Sequence, residues 1–164
     1  MRYRSLHKEE LEGVRDEFVQ FLAANSITKE EWSSIKQDQP DAAQKMIDHF
    51  SEIFWDKVLE NLAWAQIRQP KNFRIFQVKE KWEMIHLKIS KDCPFDLTQK
   101  EHVQAIGSGA VDFSALGLEV FSGTKPLKKD RKTELFEMLE SGAEPCTEAT
   151  WLSWQGMVKN GLTK

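Results

Sequence analysis

Cysteine is scarce in this 164-residue chain: only Cys93 and Cys146 occur, with no CxxC spacing. That excludes a disulfide framework and fits a reducing compartment. Long apolar runs are missing too. None approaches the ~18 residues that cross a bilayer, and the opening MRYRSLHKEELE lacks the apolar stretch of a secretory signal. A cytoplasmic protein without membrane contact is expected. Neither sign of charge is in large excess: the net charge is −3, so no global basic field draws the chain to nucleic acid or anionic lipid. Phosphate-binding loops are absent. Gly107-Ser108-Gly109 is a GxG that follows a helix, neither GxGxxG nor GxxxxGK[ST] occurs, and Ser108 lacks the GxSxG context. No isolated carboxylate pair suggests acid/base work, and no cofactor is expected. No period of about 20–50 residues marks a repeat protein.

Aromatic residues, by contrast, are plentiful. Six Trp and ten Phe within a 40% hydrophobic, 30% charged composition offer enough apolar surface to offset chain entropy, so the chain folds. A first helix is expected from Lys8 to Asn25, with Leu11, Val14, Phe18, Val19, Phe21 and Leu22 on its apolar face. His7 is a poor cap for it, which favours Ser5. In the next helix Thr28 and Glu31 form a capping box and Ile27 staples onto Trp32. Pro40 then opens a long amphipathic helix to Leu62. Its apolar stripe (Met46, Ile47, Phe50, Ile53, Phe54, Trp55, Val58, Leu59, Leu62) is wide enough to need two neighbours, and Lys45, His49, Glu52, Asp56 and Glu60 share the polar arc.

After Asn61 the period changes to two. Residues 63–69, 73–78 and 82–89 read as strands, with turns at 69–72 and 79–81. A three-residue turn at 79–81 pairs Val78 with Trp82, Phe76 with Met84 and Arg74 with His86, and sends Phe73, Ile75, Ile85 and Leu87 to the other face. A one-residue slip would set Phe76 opposite Glu83. Thr98 and Glu101 suggest a capping box for a short helix ending at Gly107. Residues 118–121 suggest a fourth strand, 123–126 a turn, and Gly142 the stop of a helix from Lys129 to Ser141. A last helix from Thr147 aligns Trp151, Trp154, Val158 and Leu162, with Gly156 and Gly161 fraying its end. The expected fold is α+β: a single domain over 1–164, helical over 5–62, with a central antiparallel meander of three to four strands over 63–89, helix, loop and strand over 97–121, and helices over 129–160.

The opening M-R-Y-R-S-L-H-K-E-E-L, followed by F-V-Q-F-L-A-A-N-S-I-T-K-E-E-W, the long helix and E-L-F-E-M-L-E-S-G, resembles a domain-of-unknown-function family of short cytosolic proteins from Bacteroidetes. The likeness is firmest over residues 1–60 and returns at 134–142, while Ala143–Trp154 departs from the family's ending. The resemblance implies a small bacterial cytoplasmic protein and brings no activity or catalytic residue.

The chemistry-bearing residues have ordinary readings. His49, three residues before Glu52, is a surface histidine near an acid, and His7 a helix-start residue. Cys93, Asp96 and His102 lack zinc-motif spacing. They are the nearest approach to a metal site, or to a thiol nucleophile with His86 or His102 as base. Cys146, just before a helix, gains slightly from the positive helix end. One sheet face shows Phe76, Val78, Trp82 and Met84, rimmed by Arg74, His86 and Lys88. Aromatic sheet faces with cationic rims stack single-stranded RNA, but such a face is more often core, covered here by the C-terminal helices with Trp151 and Trp154. Lys125, Lys128, Lys129, Arg131 and Lys132 form the only basic run, at the helix end that the dipole disfavours. The expected function is non-enzymatic binding of another protein through Trp82, Trp151 and Trp154. RNA or ribosome association through the sheet face with Lys128 and Lys129 is the alternative, and a small Cys93/His102 metal site or enzyme the third.

Overall fold

Local chemistry sets the helix ends, beginning with Met1–Val58, one of two compact units in the computed structural model, which describes residues 1–159. The first helical stretch is broken into α1 (Lys8–Gly13) and α2 (Arg15–Ala24). Gly13 weakens the helix, and Val14 leaves helical geometry at φ −119°, ψ 33°. The cap of α1 is His7, whose N–H donates to Glu10 Oε2 at 2.7 Å. Ser5 hydrogen-bonds Asp48 instead. At the end of α2, Ser26 takes the left-handed position (φ 59°) that glycine usually fills. Its N–H donates to Ala23 O at 2.9 Å, and that of Ile27 to Leu22 O at 2.9 Å, satisfying carbonyls the helix leaves open. α3 (Lys29–Asp38) starts with the expected Thr28–Glu31 box.

The long helix α4 (Pro40–Asn61) opens at Pro40, where a missing N–H costs nothing. Leu6, Phe18, Leu22 and Phe50 form the buried centre of the first unit, with Leu11, Phe21, Ile27, Trp32 and Met46 around it. Phe18 meets Trp32 and Phe50 edge-on, at centroid distances of 5.3 and 5.0 Å. The stripe of α4 is narrower than its sequence suggests, because Ile53 is 47% exposed. Ser51 is buried instead. Its Oγ accepts from Leu6 N–H at 2.9 Å and donates to Ile47 O at 2.7 Å. The extended N-terminal residues therefore lie against α4, with Tyr3 N–H donating to Glu52 Oε1 at 2.7 Å.

The second unit, from Leu59 onward, is built on a five-stranded antiparallel sheet. Its strands are β1 (Trp64–Gln69), β2 (Asn72–Val78), β3 (Lys81–Lys88), β4 (Glu119–Pro126) and β5 (Glu144–Pro145), in the order β4-β3-β2-β1-β5. The 79–81 turn gives the expected register, with Val78 opposite Trp82, Phe76 opposite Met84 and Arg74 opposite His86. Phe73, Ile75, Ile85 and Leu87 are buried on the other face. The fourth strand runs further than its sequence suggests: residues 123–126 continue the ladder and pair with β3 through Pro126.

α5 (Lys100–Gly107) lacks the Thr98 box, since the Thr98 hydroxyl donates to Asp96 Oδ1 at 2.6 Å and Gln99 is the cap. The irregular stretch contains a short helix, α6 (Phe113–Leu116). α7 (Arg131–Glu140) stops at Gly142 (φ 102°) as expected, and α8 (Glu148–Met157) is capped by Thr147. Trp151 and Trp154 are buried with Phe73, Ile75, Ile85 and Leu87. They cover the face opposite Phe76 and Met84, which corrects the expected arrangement. The helix end at residue 160, with Gly161 and Leu162, lies outside the described residues.

Two outcomes follow from the first unit. Ser51→Ala leaves the buried Leu6 N–H without its acceptor, and urea unfolding will show a loss of about 1–3 kcal/mol. Arg4 holds Glu10 through two 2.7 Å bonds, which, despite some burial and with the His7 N–H, lower its carboxyl from the usual 4.5 to about 2. A carboxyl with a depressed folded pKa stabilises above its unfolded pKa and loses that contribution as pH falls. Solvent still reaches and screens this half-buried pair, so the contribution is small. In acid titrations Glu10→Gln will lose less stability than the parent between pH ~4.5 and ~2.

Candidate functional site

Alternation along β2 and β3 brings Arg74, Phe76, Met84 and His86 to the sheet face opposite Trp151 and Trp154. β4 extends that face. Phe121 is paired with His86 and Lys125 with Trp82. All four of the first group are half-buried, whereas Phe121 is 48% exposed and meets the His86 ring at 5.7 Å. Trp82 is only 7% exposed. Phe76 packs edge-on against it at 5.5 Å, and the Lys125 ammonium lies 4.7 Å from its ring centroid.

α7 closes one end of this face through a carboxylate. Glu134 Oε2 accepts the Trp82 indole N–H, and Oε1 accepts the backbone N–H groups of Lys128 and Lys129, the latter at 2.7 Å. Burial alone would raise the Glu134 carboxyl. The N–H of Lys129, the Trp82 indole and the N–H of Lys128, with Lys125 nearby, outweigh burial and hold it below the usual carboxylate range. Phe76, Trp82, Lys125, Lys128, Lys129 and Met138 line an open cavity of about 510 Å³ above this network. Of the expected binding residues, it unites Phe76, Trp82, Lys128 and Lys129. Arg74, Met84 and His86 continue along the same face, while Trp151 and Trp154 lie in the core at 3% and 5% exposure.

His86 lies half-buried between Arg74 and Lys88 on this face. Burial, then Arg74 and Lys88, push its pKa below 6.5, and its Nε2 bonds Asn72 Oδ1 at 2.8 Å. The basic run is also put to other uses. Arg131 donates to the carbonyls of Leu59 (3.0 Å), Glu60 (3.1 Å) and Leu62, closing the C-terminal end of α4, where cations are favoured. Lys132 pairs with Glu60 at 2.8 Å, and Lys129 with Glu137.

Cys93, Asp96 and His102 do not form a centre. His102 Nδ1 lies 2.9 Å from Asp96 N and accepts its N–H, and the ring stacks on Phe95 at 4.6 Å. The Asp96 carboxylate takes the Thr98 hydroxyl, and Cys93 is buried. Among the described residues no group of three or more His, Cys, Asp and Glu could hold a metal ion. Cys146 lines a second hollow of about 800 Å³ with Phe73, Val103 and Trp154. Burial pushes its thiol up to about 11. The helix end that was expected to lower it is outweighed, which makes the thiol a weak nucleophile. Arg68, on the same hollow, is committed to Glu144 (3.0 Å) and Thr98 O (2.9 Å).

Phe121, Lys125 and Glu134 were not singled out as a group by sequence. Phe121 and Lys125 share a face only once β4 runs through Gly123, and Glu134 is one of many helix acids. The Glu134 network has a measurable consequence. Glu134→Ala leaves the Trp82 indole and two backbone N–H groups without their acceptor and will cost about 2–3 kcal/mol in denaturant unfolding. Glu134→Gln, which retains a carbonyl acceptor, will cost less.

The described residues contain no helix long and apolar enough to cross a membrane. Neither a curated protein nor a solved structure matches the chain. A family match, in contrast, spans residues 1–159 and so includes Ala143–Trp154, the segment that sequence had set apart. The chain belongs to the family of unknown function DUF6495.

Proposed function

We propose that this chain is a non-enzymatic binding protein whose ligand is another protein, received on the sheet face over Phe76 and Trp82. The observation that carries this reading is the open cavity of about 510 Å³, where an aromatic floor is rimmed by Lys125, Lys128 and Lys129. Apolar floors with a few placed charges suit side chains from a partner. The rim favours an acidic segment at Lys125 and Lys128, because both oxygens of Glu134 are turned inward to N–H donors and Glu137, also on the lining, is paired with Lys129. The raised thiol of Cys146 and the backbone-committed His102 give no support to a thiol-based reaction.

RNA association through the same face is the second reading, with Phe121 as its favourable feature. Bases stack on free ring faces. Lys125 covers a face of Trp82, and Glu134 takes its N–H, so the floor suits aliphatic and acidic side chains better than bases. Affinity capture from native cytoplasm separates the two. Under the protein reading, Lys128→Glu with Lys129→Glu removes a discrete protein and nuclease treatment does not. Recovery abolished by nuclease, with binding that falls steeply in salt, would replace the protein reading with the RNA one.

A further inference from the structure

The sheet has two edges of unequal kind. β5 is two residues long and ends in Pro145, so that edge is blunt. β4 is eight residues long and fully paired with β3 on its inner side. Every residue of β4 except Val120 is exposed, and among the described residues no backbone hydrogen bond reaches its outer edge. Its centre, Val120-Phe121-Ser122-Gly123-Thr124, carries no charge or proline, the devices that commonly guard an edge. An open edge of this kind invites another strand.

Strand geometry narrows what that strand is. In an antiparallel ladder, a hydrogen-bonded pair needs both residues to present N–H and C=O toward each other. On β4 only alternate residues face outward. Two copies related by a two-fold axis must therefore pair residues of the same parity, so the two residue numbers sum to an even value. With a sum of 244, Ser122 meets Ser122 and Val120 meets Thr124. Phe121 covers Gly123, the aromatic-over-glycine pairing that repairs a weak edge position, and Glu119 stands opposite Lys125 on both sides of the axis. A sum of 242 stacks Phe121 on itself and leaves Glu119 opposite Gly123. A sum of 246 sets Glu119 opposite Leu127 and Lys125 opposite Phe121. Only the middle register matches opposite charges twice.

We propose that β4 is the interface through which a second copy of this chain adds to the sheet, antiparallel about a two-fold axis at Ser122. The two sheets become one continuous sheet with β4 at its centre, and the exposed Phe121 of each copy is covered by the other. About six to eight main-chain hydrogen bonds hold the copies together, and the two Glu119–Lys125 pairs select the register.

Sedimentation over a concentration series tests this, with far-UV circular dichroism as the check on folding. The parent will sediment as a dimer that dissociates on dilution. Lys125→Glu turns two attractions into two repulsions and will raise the dissociation constant about ten-fold or more. Glu119→Lys combined with Lys125→Glu will restore it. Under oxidising conditions Ser122→Cys will link two copies, since facing residues lie within disulfide reach. Thr124→Cys will not, its counterpart being roughly 13 Å away along the strand. A monomer at every concentration would overturn the proposal. So would a dimer indifferent to Lys125→Glu, or one that crosslinks through Thr124→Cys rather than Ser122→Cys.

Discussion

The turn at 79–81 decides which face each side chain of the central hairpin serves. Because β-strand side chains alternate, a slip of one residue would exchange the two faces of one strand relative to its partner. It would set Phe76 against Glu83 and turn either Phe73 and Ile75 or Ile85 and Leu87 out of the core. The observed register places four large apolar residues under Trp151 and Trp154. At about 1.5–3 kcal/mol for each fully buried side chain, a slip would forfeit more than any surface interaction could return. The composition of the outer face follows from that choice. Phe76, Met84 and His86 sit there because their neighbours one residue away are needed inside, and β4 inherits its facing through the pairs it makes with β3.

Charge serves the second unit mainly as an internal fastener. The basic run looks misplaced at the start of α7, where the helix dipole disfavours cations. Arg131 and Lys132 are not directed at their own helix, however. They reach the C-terminal end of α4, where three carbonyls and the Glu60 carboxylate await donors. Glu134 works in the reverse sense. It is an acid in the first turn of α7, favoured there by the same dipole, and it also gathers the Trp82 indole and the 128–129 backbone. Burying that carboxylate is acceptable only because N–H donors occupy both oxygens. What remains for a partner is the surplus: Lys125 and Lys128 at the cavity rim and the aromatic surface between them.

What was legible in the sequence was what neighbouring residues decide. Thr28 with Glu31, Pro40 at a helix start, Gly142 at a helix stop and the Val78–Trp82 register depend on side chains a few positions apart, and each is where the pattern places it. The misreadings have distant causes. Gly123 and Pro126 suggest a turn, but β3 offers a complete ladder and tertiary pairing overrides propensity. The buried Ser51, which the reading of the long helix passes over, gains its role only because Leu6, 45 positions earlier, brings an N–H to it. Cys146 sits where a helix dipole should lower its pKa, yet burial, invisible in a linear reading, is the larger effect. The two-residue β5 is too short to carry any periodicity.

The candidate site shows the same limit more sharply. An abundance of tryptophan suggested a surplus for binding, but Trp151 and Trp154 are core, and Trp82 is packed between Phe76, Lys125 and Glu134. Residue count alone cannot separate an anchor from a filler, since both bury the same area once a partner is bound. Exposure in the free chain can. Phe121, at 48%, presents the open ring on a strand whose outer hydrogen-bonding edge is also open among the described residues. An apolar side chain and unpaired main-chain groups on one short segment each favour losing contact with water, and a strand laid alongside satisfies both at once. The lysine-rimmed cavity lies on the same face a few residues away, so a partner at β4 and a partner over Trp82 would share Lys125 as their common boundary.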